Sequence, residues 1–90
     1  MKSWPAPLVQ FYLGQLTPEA LLTAANSGDA ATRVNQTCDA NFYIGEYHLW
    51  QGQKDDARRV FTLAAKDDCQ GDFLALEGAK AELKALDAKS

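Results

Sequence analysis

Four positions constrain this chain more than any others: Gly45, Ala57, Phe61 and Ala64. Ala57, Phe61 and Ala64 stand four and three residues apart, so they share one face of a helix. Gly45 and Ala57 are small where two antiparallel helices would cross closely. Phe61 is large enough to fill the space between such a hairpin and its neighbour. A hairpin of this kind leaves an apolar face uncovered and needs further helices stacked on it. The expectation is a stack of helical hairpins.

Glycine and proline divide the rest of the chain into helical lengths. Pro5 and Pro7 open a short segment over residues 8–13, which Gly14 ends. Thr17-Pro18-Glu19 is a helix start, with Thr as the cap, Pro at the first helical position and Glu at the positive end. The apolar run over 20–25 is stopped by Asn26-Ser27-Gly28. Asp29 caps a longer stretch to Gln51, with room for a break near Gln36-Thr37, and Gly52 ends it. A fourth helix starts near Asp55 and runs through Ala57, Val60, Phe61 and Ala64. Cys69-Gln70-Gly71-Asp72 makes the next turn, and Phe73, Leu76, Leu83 and Leu86 mark one face of a last helix. No stretch alternates as a half-buried strand does. The predicted class is all-α, with about five helices.

Size and charge narrow the function. At 47% hydrophobic and 23% charged, 90 residues make one domain with a limited core, not a large two-domain enzyme. Nine Lys plus Arg against twelve Asp plus Glu give a formal charge of −3. That balance offers no basic patch for a nucleic acid. No run approaches the roughly 18 apolar residues of a membrane span. Residues 1–7 lack the roughly 7–15-residue apolar core of a signal peptide. Neither membrane insertion nor a targeting signal is expected of this chain.

The helical spacing follows the tetratricopeptide repeat (TPR), a helix–turn–helix unit of roughly 34 residues. That pattern asks for an aromatic, Leu-Gly and a second aromatic on its first helix, then Ala and Phe on its second, with Pro after it. This chain supplies Asn41, Ile44-Gly45 and His48, then Ala57, Phe61 and Ala64, and Cys69 where Pro would stand. The register fits without a gap, although Asn41, His48 and Cys69 depart from the residue types. Phe11-Tyr12-Leu13-Gly14 echoes Phe42-Tyr43-Ile44-Gly45 upstream, at an offset of 31. The expected layout of the single 1–90 domain is a degenerate half-repeat over 4–27, a TPR hairpin over 38–71 and a capping helix over 72–87.

Three words of the sequence go further than TPR spacing. Val9-Gln10-Phe11-Tyr12-Leu13-Gly14, Asn41-Phe42-Tyr43-Ile44-Gly45-Glu46-Tyr47, and Phe73 with Glu82-Leu83 resemble the C-terminal part of the NlpI-type TPR lipoproteins of Gram-negative bacteria. The resemblance covers roughly Trp4 to Leu86. It implies a helical adaptor on the periplasmic side of the outer membrane, one that scaffolds peptidoglycan hydrolases and a processing protease and self-associates as a dimer. The lipoprotein signal, its lipidated cysteine and the N-terminal repeats have no counterpart here. On this reading the chain is the end of a longer adaptor.

At about 100° per residue, Ile44, Gly45 and His48 point toward the paired helix. The opposite side carries Asp39, Tyr43, Glu46 and Trp50, flanked by Phe42 and Leu49. These six are the candidate partner-binding residues. Aromatics beside carboxylates suit a partner segment with apolar anchors and a basic residue. Because this face offers Asp and Glu rather than Lys and Asn, acidic C-terminal tails are not its expected ligands. Phe42 and Leu49, and Tyr43 with them, also suit packing on the upstream helices.

Cys38 opens the first helix of the expected hairpin and Cys69 follows the second. An antiparallel hairpin returns the chain to its starting level, within the roughly 7 Å Cα separation a disulfide needs. A Cys38–Cys69 bond is expected, and it fits an oxidising compartment; two buried thiols are the other reading. One His and two distant Cys make no metal site, so no metal or cofactor is expected. His48 reads as a packed or hydrogen-bonded residue. Asp55-Asp56 and Asp67-Asp68 read as solvated charges near helix ends. No nucleophile, base and acid come together, so the expectation is a non-catalytic interaction module. The competing expectation is self-assembly, with the last helix, bearing Leu74, Leu76, Leu83 and Leu86, or the Pro-rich start packing on a second copy.

Overall fold

The computed structural model describes residues 6–66, 69 and 73–89 of the chain, without the side chains of 73, 74 and 89. Trp4 and Pro5, the Asp67-Asp68 pair and the Gln70-Gly71-Asp72 turn lie outside the described residues, as do the side chains of Phe73 and Leu74. Five helices run in order: α1 (Ala6–Tyr12), α2 (Pro18–Ala25), α3 (Ala30–Trp50), α4 (Lys54–Ala64) and α5 (Phe73–Lys89). No strand occurs among the described residues, and the chain is all-α.

Local chemistry sets the ends of these helices. Thr17 Oγ1 accepts the Ala20 N–H at 3.1 Å and Pro18 is the first residue of α2. Asp29 accepts the Thr32 N–H at 2.8 Å and opens α3. Hydrogen bonds to Thr32, first of all from its backbone N–H, hold the Asp29 carboxyl below the usual carboxylate range. Gly14 and Gly52 come after α1 and α3 at φ +77° and +78°, a left-handed conformation that side chains other than glycine resist.

The long helix α3 is unbroken through Gln36-Thr37. Gln36 is buried and donates through Nε2 to the Ala25 carbonyl at 2.8 Å and to the Ser27 carbonyl at 2.9 Å. The side chain thereby fastens α3 to the end of α2 and leaves the helix's own hydrogen bonds intact. Cys38 accordingly stands two turns inside α3, not at the start of a helix.

Helices α3 and α4 form an antiparallel hairpin. Gly45 faces Phe61 so closely that a Cβ on it would lie 2.5 Å from the ring's Cε1 atom. Toward the other end of the hairpin Cys38 and Cys69 are joined in a disulfide, their Cα atoms 5.8 Å apart. Phe61 is fully buried. It packs with Ala57, Ala64 and, from α5, Ala79 and Leu86. A second cluster gathers Phe11, Leu21, Ala25, Ala40, Ile44 and Val60 from α1 to α4. Two hairpins and a closing helix share these cores, an arrangement that fits a TPR-like array.

Phe42 and Leu49 correct the sequence expectation that they pack upstream. Both join the cluster around Phe61 on the α4 and α5 side. The Phe42 ring lies 6.0 Å from that of Phe61. It also fills the space over Gly78, where a Cβ would stand 2.7 Å from it. Gly78 on α5 admits the ring, and α5 lies downstream in sequence.

Candidate partner-binding site

Helix α3 presents its candidate residues between α1 and α5. Tyr43 meets Tyr12 of α1 edge to face, with ring centroids 5.3 Å apart, and touches Phe42 on its own helix at 5.2 Å. One turn on, Tyr47 packs on Phe11 of α1 at 5.3 Å. These contacts hold α1 against the second half of α3, with Phe11 buried beneath.

Between them runs a groove of about 660 Å³, lined by Phe11, Tyr12, Gly14, Glu46, Tyr47, Leu49 and Trp50. Three of the six sequence candidates, Glu46, Leu49 and Trp50, line it. Tyr43 supports its Tyr12 wall, Phe42 lies behind it in the core, and Asp39 is half-buried and engaged by a neighbour. Trp50 is 81% exposed, Leu13 66%, Val9 57% and Tyr12 56%. With Tyr47, these are the exposed large hydrophobics among the described residues, and all stand on α1, the turn after it, or the last turn of α3. Of these, Tyr12, Tyr47 and Trp50 line the groove; a single exposed Leu is ordinary, whereas large exposed apolar patches are typical of contact surfaces.

The carboxyl that lines the groove is that of Glu46, with Glu82 of α5 beside it. Glu46 on α3 is hydrogen-bonded to Glu82 on α5. Burial first, and then this hydrogen bond and the charge of Glu82, push the Glu46 carboxyl up to about 7. A hydrogen bond between two carboxyls requires one proton on the pair, so this contact of α3 with α5 holds while the pair carries it. Burial also raises the Tyr12 phenol, helped by the nearby Tyr43 and Glu46. The groove thus combines aromatic walls with an acidic rim.

The remaining candidates serve the scaffold. Cys38 and Cys69 are both buried and leave no free cysteine in the chain. His48 Nδ1 lies 2.7 Å from Gln53 Oε1, and the Gln53 N–H donates to the His48 carbonyl at 2.8 Å. The imidazole therefore closes the α3–α4 turn. Among the described residues no group of three His, Cys, Asp or Glu is placed to hold a metal ion. No described helix is long and apolar enough to cross a membrane.

Sequence reasoning did not assign Phe11, Tyr12, Gly14 and Tyr47 to the site. A signal was present: Val9, Phe11, Tyr12 and Leu13 surround most of a helix only two turns long, more apolar surface than one contact face can cover. No known protein-family model matches the chain, and no solved structure matches it significantly.

Proposed function

We propose that the chain is a non-catalytic adaptor module that binds a partner protein in the α1/α3 groove. The observation that carries this reading is that Tyr12, Tyr47 and Trp50, three of the exposed large hydrophobics among the described residues, line that groove. Aromatics dominate interface hot spots, and Trp50, Tyr12 and Tyr47 form the apolar floor and walls. The occupant is an extended or helical segment with an apolar anchor and a basic residue: the anchor enters beside Trp50, and the cation meets the Glu46–Glu82 rim. The sequence resemblance to the NlpI-type TPR lipoproteins favours a periplasmic or outer-membrane-associated parent, with a cell-wall hydrolase or a protease complex as the partner. The buried disulfide is compatible with that compartment.

Affinity capture from a periplasmic extract tests the reading when run beside the Trp50→Ala/Glu46→Gln double variant. A protein held by the native chain and released by the variant supports the groove; equal retention by both contradicts it. The second reading, self-assembly, draws on the same exposed patch. Sedimentation of the purified chain separates the two, because a concentration-dependent dimer lost in Trp50→Ala makes a second copy the occupant.

A further inference from the structure

Two carboxyls meet at the α1/α3 groove, and among the described residues no Lys, Arg or His lines it. Glu46, half-buried on α3, is hydrogen-bonded to Glu82, half-buried on α5. The basic groups on the neighbouring elements have other partners. Arg58 of α4 is engaged by Asp55 and Asp87, Lys80 of α5 by Glu77, and His48 of α3 by Gln53. Lys84 stands two positions from Glu82 and so on another side of α5. Tyr12 of α1 and Tyr43 of α3, the phenols on this side, bring no positive charge. Two acids in contact repel once both ionise, and a proton or a cation relieves them.

The second observation is the ring set. Phe11, Tyr12, Tyr47 and Trp50 line the same groove. Tyr12 and Tyr47 flank Phe11 at 6.5 and 5.3 Å, with planes turned 56° and 60° from it, so neither stacks flat on that ring. Trp50 is exposed at the end of α3. The charge of Glu46 helps to raise the Tyr12 phenol, which puts ring and carboxyl against the same space. Ring faces carry partial negative charge and attract a cation within about 6 Å, Trp most strongly. Aromatic walls beside a carboxyl pair are therefore complementary to a positive charge on an apolar body. A guanidinium or an N-alkylated ammonium suits such a place best, because these cations are weakly hydrated and leave water readily.

On the reading that this groove is the binding face, we propose that it holds an organic cation, seated against Tyr12, Tyr47 and Trp50 and taking the place of the proton that Glu46 and Glu82 share. The cation, and not a neutral anchor, is then the group that the rings select. Its entry releases the shared proton to solvent, so binding tightens as pH rises through the range in which the pair gives that proton up. A free ammonium compound and a basic side chain of a partner protein present the same chemistry.

Amide and indole chemical-shift titration of the 90-residue chain tests the proposal. The probes are choline with its neutral isostere 3,3-dimethyl-1-butanol, and N-acetyl-leucyl-arginine amide with its citrulline counterpart. At least one cation is expected to shift residues 12, 46, 47 and 50 and to bind about tenfold more tightly than its neutral isostere. Its affinity should rise about tenfold between about pH 5.5 and 8, and Glu46→Gln and Glu82→Gln should each flatten that rise. The isostere comparison needs only the native chain. Tighter binding of choline than of the arginine dipeptide assigns the site to a free ammonium compound, and the reverse assigns it to a partner's side chain. Cation and isostere binding alike in both pairs, or an affinity that does not change with pH, would overturn the proposal while leaving the groove able to take an apolar segment. Failure of both cations to bind, or shifts that avoid residues 12, 46, 47 and 50, would overturn it as well.

Discussion

Gly45 and Trp50 lie five residues apart on α3 and do opposite work. Gly45 has no Cβ because the Phe61 ring occupies that place, with three ring atoms within 2.8 Å of where it would be. Gly45→Ala gains roughly 1 kcal/mol of helix propensity. Overpacking against the ring costs about 3 kcal/mol, the upper part of the usual range, because Phe61 is fully buried and has nowhere to turn. The net expectation is a loss of about 2 kcal/mol, read as a lower midpoint in urea unfolding. Trp50 is 81% exposed, so Trp50→Ala should leave that midpoint within about 0.5 kcal/mol of the native value. A large loss of stability in Trp50→Ala would mean that the ring serves the fold and not a partner.

At the level of elements, two ties hold α3 to the later part of the chain. The disulfide joins α3 to the segment after α4 and closes a loop with a sequence separation of 31. On the chain-entropy model such a closure stabilises by about 3–4 kcal/mol, a large share for a domain of this size. The Cys38→Ala/Cys69→Ala double variant should lose about that much in chemical unfolding, and an unchanged midpoint would remove the bond from the account. The second tie is the Glu46–Glu82 hydrogen bond between α3 and α5. Glu46 is raised in the folded state from its ordinary 4.5 to about 7. For an acid shifted upward, the stabilisation is complete below the unfolded value and is lost as pH rises through the folded one. Stability should therefore fall between about pH 4.5 and 7, and Glu46→Gln, which keeps a donor at every pH, should flatten that slope. An unaltered slope in the variant would show that Glu46 is not the group that titrates in this range.

In the molecule as a whole, what could be read from sequence was local, and what escaped was tertiary. Thr17, Pro18, Asp29 and Gly52 announce helix ends because capping and φ preference act within a turn of the residue itself. The Gly45, Ala57, Phe61 and Ala64 register was legible because close helix crossing demands small residues at fixed spacing. The Cys38–Cys69 pairing came from the same register. The side to which Phe42 and Leu49 turn was not legible, because it depends on Gly78 in α5 accepting a ring. Half of the groove escaped for a similar reason. Tyr12 and Tyr47 come together only when α1 folds back on the last turns of α3, a contact that no spacing within either helix encodes.

The role proposed for the face shared by α1 and α3 is to receive a segment of another protein. Its most direct measurement is selection of random peptides displayed against the native chain, with binding of the selected peptides then compared on Trp50→Ala/Glu46→Gln and on Arg33→Gln. The selected peptides should pair an aromatic or leucine anchor with a lysine or arginine, bind Arg33→Gln normally and lose at least tenfold on the groove variant. Peptides that bind the groove variant as well as the native chain, or that share no anchor and no basic residue, would contradict it.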